Sequence, residues 1–123
     1  PILTPHAKEF KTLFKIKNQK SKIKSTDQNS KIDEGLVREM ARKYNCVILV
    51  KGEVDIVASP TDCVQIPGGN AGMTKGGTGD VLAGLVAALY TKNDVFLSAC
   101  AGSYINKKAG ESLEEKMGIY FTD

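Results

Sequence analysis

The sequence contains no tryptophan, and aromatic residues make up only 7% of its 123 residues. No apolar run approaches the ~20 residues that a transmembrane helix needs, because the longest, from Val81 to Tyr90, is much shorter. The lysine-rich stretch from Lys15 to Lys24 has no interleaved aromatic residues on which bases could stack. We therefore expect neither a membrane segment nor a nucleic-acid partner.

Histidine and paired cysteines are also scarce. The single histidine and the widely spaced Cys46, Cys63 and Cys100 include no C-x-x-C pair, which argues against a zinc site. We interpret the cysteines as small, buried thiols of a reducing compartment and expect a cytoplasmic protein. A net charge of +3 and 41% hydrophobic residues exclude a disordered tail.

The first half of the chain predicts alternating strands and helices. A strand at Ile2-Leu3 ends before Pro5, and a helix follows from Ala7 to Phe14. Ser30 and Asp33 have the spacing of a capping box, which predicts a helix that reaches about Tyr44. The continuous apolar run from Cys46 to Val50 is typical of a strand covered on both faces. Two antiparallel strands should follow, with Gly52 in the first hairpin, so we expect a mixed sheet in which an antiparallel meander is added to parallel strands.

The second half predicts two helices. The segment from Val81 to Leu89 is apolar on every side, so we expect it in the core. Another helix should begin near Asp94 and extend to Lys107 or beyond. Its inward face should be some combination of Phe96, Ala99, Ala101, Tyr104 and Ile105.

The most informative segment runs from Gly68 to Asp80, where glycines cluster directly before the apolar helix. Glycines let backbone N–H groups approach a ligand, and a helix N-terminus carries partial positive charge, so together they favour a phosphate. Neither common phosphate motif fits. Thr74 occupies the glycine position before Lys75 in the P-loop pattern, and a dinucleotide motif that starts at Gly77 meets Leu82 at its third glycine.

Asp80 has two interpretations. It can cap the helix or place a charge in its first turn, which is worth ~1 kcal/mol. It can also act as a general base that takes a proton from a substrate hydroxyl, which then attacks a phosphoryl group.

Three segments together resemble the ADP/ATP-dependent NAD(P)H-hydrate dehydratases of the ribokinase-like superfamily. They are the glycine-rich stretch from Asn70 to Gly84, a T-P-H-x-x-E-F segment within Ile2 to Phe10, and a K-G-x-x-[TD] hairpin within Leu49 to Val57. The resemblance implies an α/β three-layer sheet with helices on both faces. That fold needs about twice this length, above the usual ~100–150 residues of a domain. Residues 1–123 are therefore expected to be a partial domain that lacks its N-terminal half.

The resemblance also implies a repair reaction. Hydrated NADH or NADPH would be dehydrated after ADP or ATP phosphorylates its ring hydroxyl, because phosphate is a better leaving group than hydroxide. Mg²⁺ would accompany the nucleotide, and the full-length protein is expected to be a homo-oligomer. The choice between ADP and ATP, and between the two hydrated cofactors, stays open.

Site residues follow from the matched motifs. Asp80 would be the catalytic base and contact the substrate, and His6 would also bind the substrate. The expected nucleotide-binding residues are Lys51, Gly52, Glu53, Val54, Asp55, Asn70, Gly76, Gly77, Thr78 and Gly79. Two alternatives remain: a kinase of the same superfamily acting on a sugar or hydroxymethylpyrimidine, and a non-catalytic nucleotide-binding module.

Overall fold

The computed structural model describes residues 1–16, 32–69 and 78–117. Its elements in chain order are β1 (Ile2–Leu3), α1 (Ala7–Leu13), α2 (Glu34–Tyr44), β2 (Val47–Val50), β3 (Val54–Ala58), β4 (Cys63–Pro67), α3 (Thr78–Tyr90) and α4 (Val95–Met117). The sheet has the order β1-β2-β3-β4. β1 is parallel to β2, whereas β2, β3 and β4 are antiparallel to one another, as the sequence predicted.

β2 is buried on both faces because helices cover both sides of the sheet. Ile48 and Val50 face a cluster that contains Phe10 of α1 and Val37 of α2. Val47 and Leu49 point the opposite way, toward a second cluster that contains Leu82 and Val86 of α3 and Ala99 of α4. Successive side chains of a strand alternate between faces, so one apolar run supplies both cores. The predicted three-layer arrangement is confirmed.

α2 begins at its own cap. The side chain of Asp33 accepts a hydrogen bond of 2.6 Å from the N–H of Gly35, and the helix ends at Tyr44 before Asn45 in the left-handed conformation. Asp33 is thus the N-cap itself and not the inner partner of a capping box that starts at Ser30, a residue outside the described part. The predicted end of the helix is confirmed.

α3 is the clearest departure from the sequence prediction. Leu82 and Val86 are buried against the sheet and α4, but Val81 is 64% exposed. The expectation that this helix is surrounded by core is therefore wrong for this chain. Apolar residues on every side favour burial, but burial also needs a neighbour on every side, and α3 contacts its neighbours along one side.

α4 also differs from the prediction in its inward face. Of the candidate inward residues, Ala99 is buried but Tyr104 and Ile105 are exposed, and the buried positions of this helix also include Ser98, Ser103 and Lys107. Helical periodicity of apolar residues missed them because they are polar. No helix in the described ranges is both long and apolar enough to cross a membrane.

The three cysteines are free thiols, as expected. Cys46 is buried, and Cys63 and Cys100 are half-buried. Burial raises the pKa of Cys63 to about 11, with Glu34 adding to the shift, and burial likewise raises the pKa of Cys100 to about 11. Both thiols therefore stay protonated at neutral pH.

Candidate functional site

Parallel pairing brings two of the predicted motifs side by side. Beyond the paired ends of β1 and β2, the N–H of Lys51 donates to the carbonyl of Pro5 at 2.9 Å, and His6 pairs with Lys51 in a parallel bridge. Both residues follow the carboxyl end of a parallel strand. Ligands of open α/β sheets bind at this edge.

His6 caps α1 and is held there by Glu9. Its Nδ1 accepts a hydrogen bond from the N–H of Glu9 at 3.2 Å, and its own N–H donates to Glu9 Oε1 at 3.0 Å. The hydrogen bond from the His6 backbone lowers the pKa of the Glu9 carboxyl, and the charge of Lys51 lowers it further. His6 is exposed, so its ring is oriented by the helix terminus yet open to solvent.

Lys51 also reaches the first turn of α3. A Cβ placed on Gly79 would lie 2.7 Å from Lys51 Nζ, so the ammonium group occupies the space that a side chain would take. The N-terminus of a helix carries partial positive charge. Two positive groups in contact are unfavourable unless an anion shares the space, and this arrangement therefore suits a phosphate.

Asp80 lies beside this contact. It is exposed and sits in the first turn of α3, directly after the half-buried Gly79. A carboxylate there is stabilised by the helix terminus. The position is compatible with both of its interpretations, and it puts an exposed acidic residue next in sequence to Gly79, whose Cβ space the Lys51 ammonium occupies.

The hairpin between β2 and β3 exposes Gly52, Glu53 and Val54, whereas Asp55 turns inward and is only 3% exposed. Asp55 Oδ1 accepts a hydrogen bond from the N–H of Gly52 at 3.0 Å, and Oδ2 accepts one from the Ser103 hydroxyl at 2.7 Å. Both carboxylate oxygens are occupied by the protein. Asp55 therefore holds the hairpin to α4.

Lys107 completes this buried network. Its Nζ lies 3.3 Å from Asp55 Oδ1 and donates to the carbonyls of Gly52 at 3.0 Å, Glu53 at 3.2 Å and Gly68 at 3.1 Å. Three donated hydrogen bonds use all three protons of an ammonium group. Lys107 thus joins the hairpin to the end of β4 from inside the molecule.

The turn after β4 has a second link to α4. Gly68 has a φ of 115°, which favours glycine, and the N–H of Gly69 donates to Glu111 Oε1 at 3.2 Å. This hydrogen bond, together with Lys108, lowers the pKa of the Glu111 carboxyl. The predicted ligands Asn70, Gly76 and Gly77 lie outside the described residues.

Comparison with known proteins assigns the family. The chain matches the NAD(P)H-hydrate dehydratase family over residues 1–123. The chain belongs to this family. It is 40% identical over 121 residues to the bifunctional NAD(P)H-hydrate repair enzyme Nnr of Methanocaldococcus jannaschii, which covers 98% of this chain and 20% of that protein. It is 39% identical over 122 residues to the ADP-dependent (S)-NAD(P)H-hydrate dehydratase of Nitrosopumilus maritimus, covering 98% of this chain and 40% of that protein.

Solved structures agree with the family assignment. The ADP/ATP-dependent NAD(P)H-hydrate dehydratase of Bacillus subtilis, co-crystallized with ATP/Mg²⁺, superposes with a TM-score of 0.79 at 27% identity. The match covers 94% of this chain and 39% of that one. The fold is ribokinase-like. The chain thus spans between a fifth and two fifths of the relatives named here.

The motif prediction for this dehydratase-family chain missed three residues that shape the site: Glu9, Ser103 and Lys107. The role of Glu9 could have been predicted, because Glu9 stands three residues after His6 in the capping-box pattern. Asp55 gave a signal for the other two. Alternation along β3 puts Asp55 on the same face as the buried Val57, and a buried acid needs a partner. Nothing in the local sequence says that Lys107 is that partner.

Proposed function

We propose that the protein carries out nucleotide-dependent dehydration of hydrated NADH or NADPH, which returns the damaged cofactor to use. The observation that carries the proposal is the corner where the ammonium of Lys51 meets Gly79 beside the exposed Asp80. It combines a cation at a helix N-terminus, which suits phosphate, with an exposed acidic residue in the same helical turn. Membership of the NAD(P)H-hydrate dehydratase family supports the choice of substrate.

In the proposed reaction, Asp80 accepts the proton of the hydroxyl on the hydrated nicotinamide ring. The freed oxygen forms a bond to the terminal phosphorus of the nucleotide, and the bond from that phosphorus to the leaving phosphate oxygen breaks. The phosphorylated ring then loses a proton and inorganic phosphate, which forms the ring double bond again. A general base of this kind contributes about 10²–10⁴-fold to the rate.

Adenine nucleotide is the proposed phosphoryl donor, ADP in the first place. The Nitrosopumilus maritimus relative is named as ADP-dependent, and the Bacillus subtilis relative as ADP/ATP-dependent. We propose that the phosphates lie between Lys51 and the first turn of α3, where Thr78 and Gly79 supply backbone groups. Gly52, Glu53 and Val54 line the exposed hairpin, and Asn70, Gly76 and Gly77 would complete the phosphate loop.

Asp55 takes a different part in this scheme. Its carboxylate is engaged by Gly52, Ser103 and Lys107, so we propose that it acts on the nucleotide through the shape of the hairpin. His6, which pairs with Lys51 in the parallel bridge, would bind the hydrated cofactor.

Mg²⁺ would enter with the nucleotide. The described part of the chain contains no group of three acidic, histidine or cysteine side chains that could hold a metal ion by itself. Mg²⁺ is commonly held by one or two carboxylates together with substrate phosphates, so the nucleotide phosphates would supply part of its coordination. When bound, the ion would neutralise charge on the transferred phosphoryl group.

The proposed function also concerns the complete domain, its oligomeric state and its compartment. Because the chain spans about two fifths of the solved dehydratase, we propose that residues 1–123 form one part of a larger ribokinase-like domain. We further propose a homo-oligomeric, cytoplasmic enzyme.

The test is recovery of NADH absorbance from purified hydrated NADH by the full-length protein. We expect recovery with ADP or ATP and Mg²⁺, release of one phosphate per cofactor, and no recovery without nucleotide. Accumulation of a stable phosphorylated product would instead support a small-molecule kinase. Nucleotide binding without any turnover would support a non-catalytic module.

A further inference from the structure

We propose that Lys107 is a positioning residue of the nucleotide site. We further propose that α4 fixes the position of the two walls of that site, which are the hairpin between β2 and β3 and the helix α3. The inference rests on the proposed function, because it assumes that the corner between Lys51 and Gly79 receives the nucleotide phosphates. It adds residues that lie outside all of the matched motifs.

The first wall is the hairpin that carries Lys51. Its next two carbonyls, those of Gly52 and Glu53, both accept hydrogen bonds from Lys107 Nζ. The same hairpin is tied by Asp55 to the Ser103 hydroxyl, one helical turn before Lys107. The backbone from which the Lys51 side chain extends is therefore fixed to α4 at two points.

The second wall is α3, and it is fixed to the same stretch of α4. A Cβ on Gly102 would lie 2.5 Å from Val86 Cγ2 and 3.5 Å from Val86 Cα, so α3 approaches α4 to a distance that only glycine permits. Gly102 directly precedes Ser103. Adjacent residues of α4 therefore fix the positions of both walls: Gly102 sets the distance to α3, and Ser103 binds the hairpin.

The Lys51–Gly79 contact depends on both attachments. The hairpin and α3 meet at this corner, and each of them contacts residues 102–107 of α4, in addition to the strand pairing of the hairpin and the packing of α3 on the sheet. Lys107 also holds the carbonyl of Gly68, directly before the Gly69 N–H that Glu111 binds. Removing the Lys107 ammonium releases three carbonyls from two separate segments at once.

Lys107 is 4% exposed, so it is itself out of reach of a ligand. Its effect on catalysis must pass through the hairpin. The expected signature is a raised KM and Kd for ADP with a smaller change in the KM for hydrated NADH, because its proposed ligands His6 and Asp80 lie at the start of α1 and on α3, outside the hairpin.

The experiment compares three variants of the full-length protein. Replacing Lys107 alone leaves the Asp55 carboxylate buried and unpaired, which endangers folding. The main variant is therefore Asp55→Asn with Lys107→Met, which removes both charges together. Ser103→Ala is a milder second variant that keeps Asp55 and Lys107 paired. Lys116→Met, an exposed lysine on the same helix, is the matched control.

We expect the double variant, folded by circular dichroism, to bind ADP about ten-fold more weakly than the unsubstituted protein. Ser103→Ala should weaken binding about three-fold, and Lys116→Met should leave it unchanged. Adding Lys51→Met to the double variant should weaken binding much less than Lys51→Met does alone, because the two changes act on the same contact.

Three results would overturn the inference. One is ADP affinity within two-fold of the unsubstituted protein in the folded double variant or, if that variant does not fold, in Ser103→Ala. Another is full additivity with Lys51→Met. The third is an equal rise of the KM values for ADP and hydrated NADH, because that would show that the substitutions disturb the whole site and not the hairpin alone. Failure of the unsubstituted protein to bind ADP would instead overturn the proposed function itself.

Discussion

The contact between Lys51 and Gly79 shows how a single missing side chain can define a charged corner. Lysine at the end of a strand often extends into solvent, and glycine in a first helical turn is often a capping feature. Here the ammonium of one occupies the Cβ space of the other. Neither residue alone indicates a phosphate site, whereas the contact between Lys51 and Gly79 does.

Gly79→Ala is the residue-scale test of this corner. The new Cβ would lie 2.7 Å from Lys51 Nζ, and the flexible lysine end would move away. Because alanine suits a helix better than glycine, stability should be unchanged or higher by up to ~1 kcal/mol. The KM for ADP should rise about five- to ten-fold, because the cation leaves the phosphate position.

Gly84→Ala on the same helix is the matched control, since its Cβ would meet nothing within 4 Å. Steady-state kinetics with varied ADP will check the prediction. An unchanged KM for ADP in Gly79→Ala would mean that Lys51 does not serve the phosphates.

At the scale of elements, the packing of α3 on α4 depends on Gly102. Gly102→Ala puts a methyl group 2.5 Å from Val86 Cγ2, with the Val86 backbone close behind it. The two helices must separate, and overpacking of this kind costs about 1–3 kcal/mol. We expect a lower urea midpoint for Gly102→Ala, whereas Gly84→Ala should not lower it. Equal stability of the two variants would mean that α3 and α4 tolerate a wider spacing.

The turn after β4 gives a pH prediction. The Gly69 N–H lowers the pKa of Glu111 in the folded state, with Lys108 as a further cause. A lowered pKa contributes stability above the ordinary carboxyl value of 4.5, and this contribution is lost as pH falls through the lowered value. Glu111→Gln should therefore be less stable near neutral pH and lose less stability on acidification. The measurement is the urea midpoint of both proteins near pH 7 and again below about pH 4. An equal loss of stability on acidification in Glu111→Gln and in the unsubstituted protein would contradict this assignment.

Element types were predictable from local patterns. The unbroken apolar run of β2 predicted a strand covered on both faces, and the structure places a cluster against each face. The mixed sheet and the end of α2 at Tyr44 followed from the same kind of reasoning. These features depend on neighbours within one element or one turn.

Longer-range features were not predictable in the same way. The exposure of Val81 on α3 depends on which elements surround the helix, and its own sequence does not contain that information. The burial of Lys107 depends on an acid and three carbonyls far away in the chain. Asp55 on an inward-facing position of β3 indicated that a partner exists, but the partner is set by how α4 packs against the hairpin, which the local sequence does not encode.

At the scale of the whole molecule, the three matched motifs converge only in part within the described chain. His6, Lys51 and Gly79 meet at one edge of the sheet, and Asp80 follows on the same helix turn. Asp55 faces the interior and supports this edge. We therefore predict that catalysis depends on Asp80, while Asp55 and Lys107 act through the position of the hairpin.

The most direct test is recovery of NADH absorbance from hydrated NADH by the full-length protein and by Asp80→Asn, each with ADP or ATP and Mg²⁺. We predict recovery by the unsubstituted protein and a loss of at least about 100-fold in Asp80→Asn, with ADP binding and the circular dichroism spectrum retained. No recovery by the unsubstituted protein with either nucleotide, or undiminished recovery by Asp80→Asn, would contradict it.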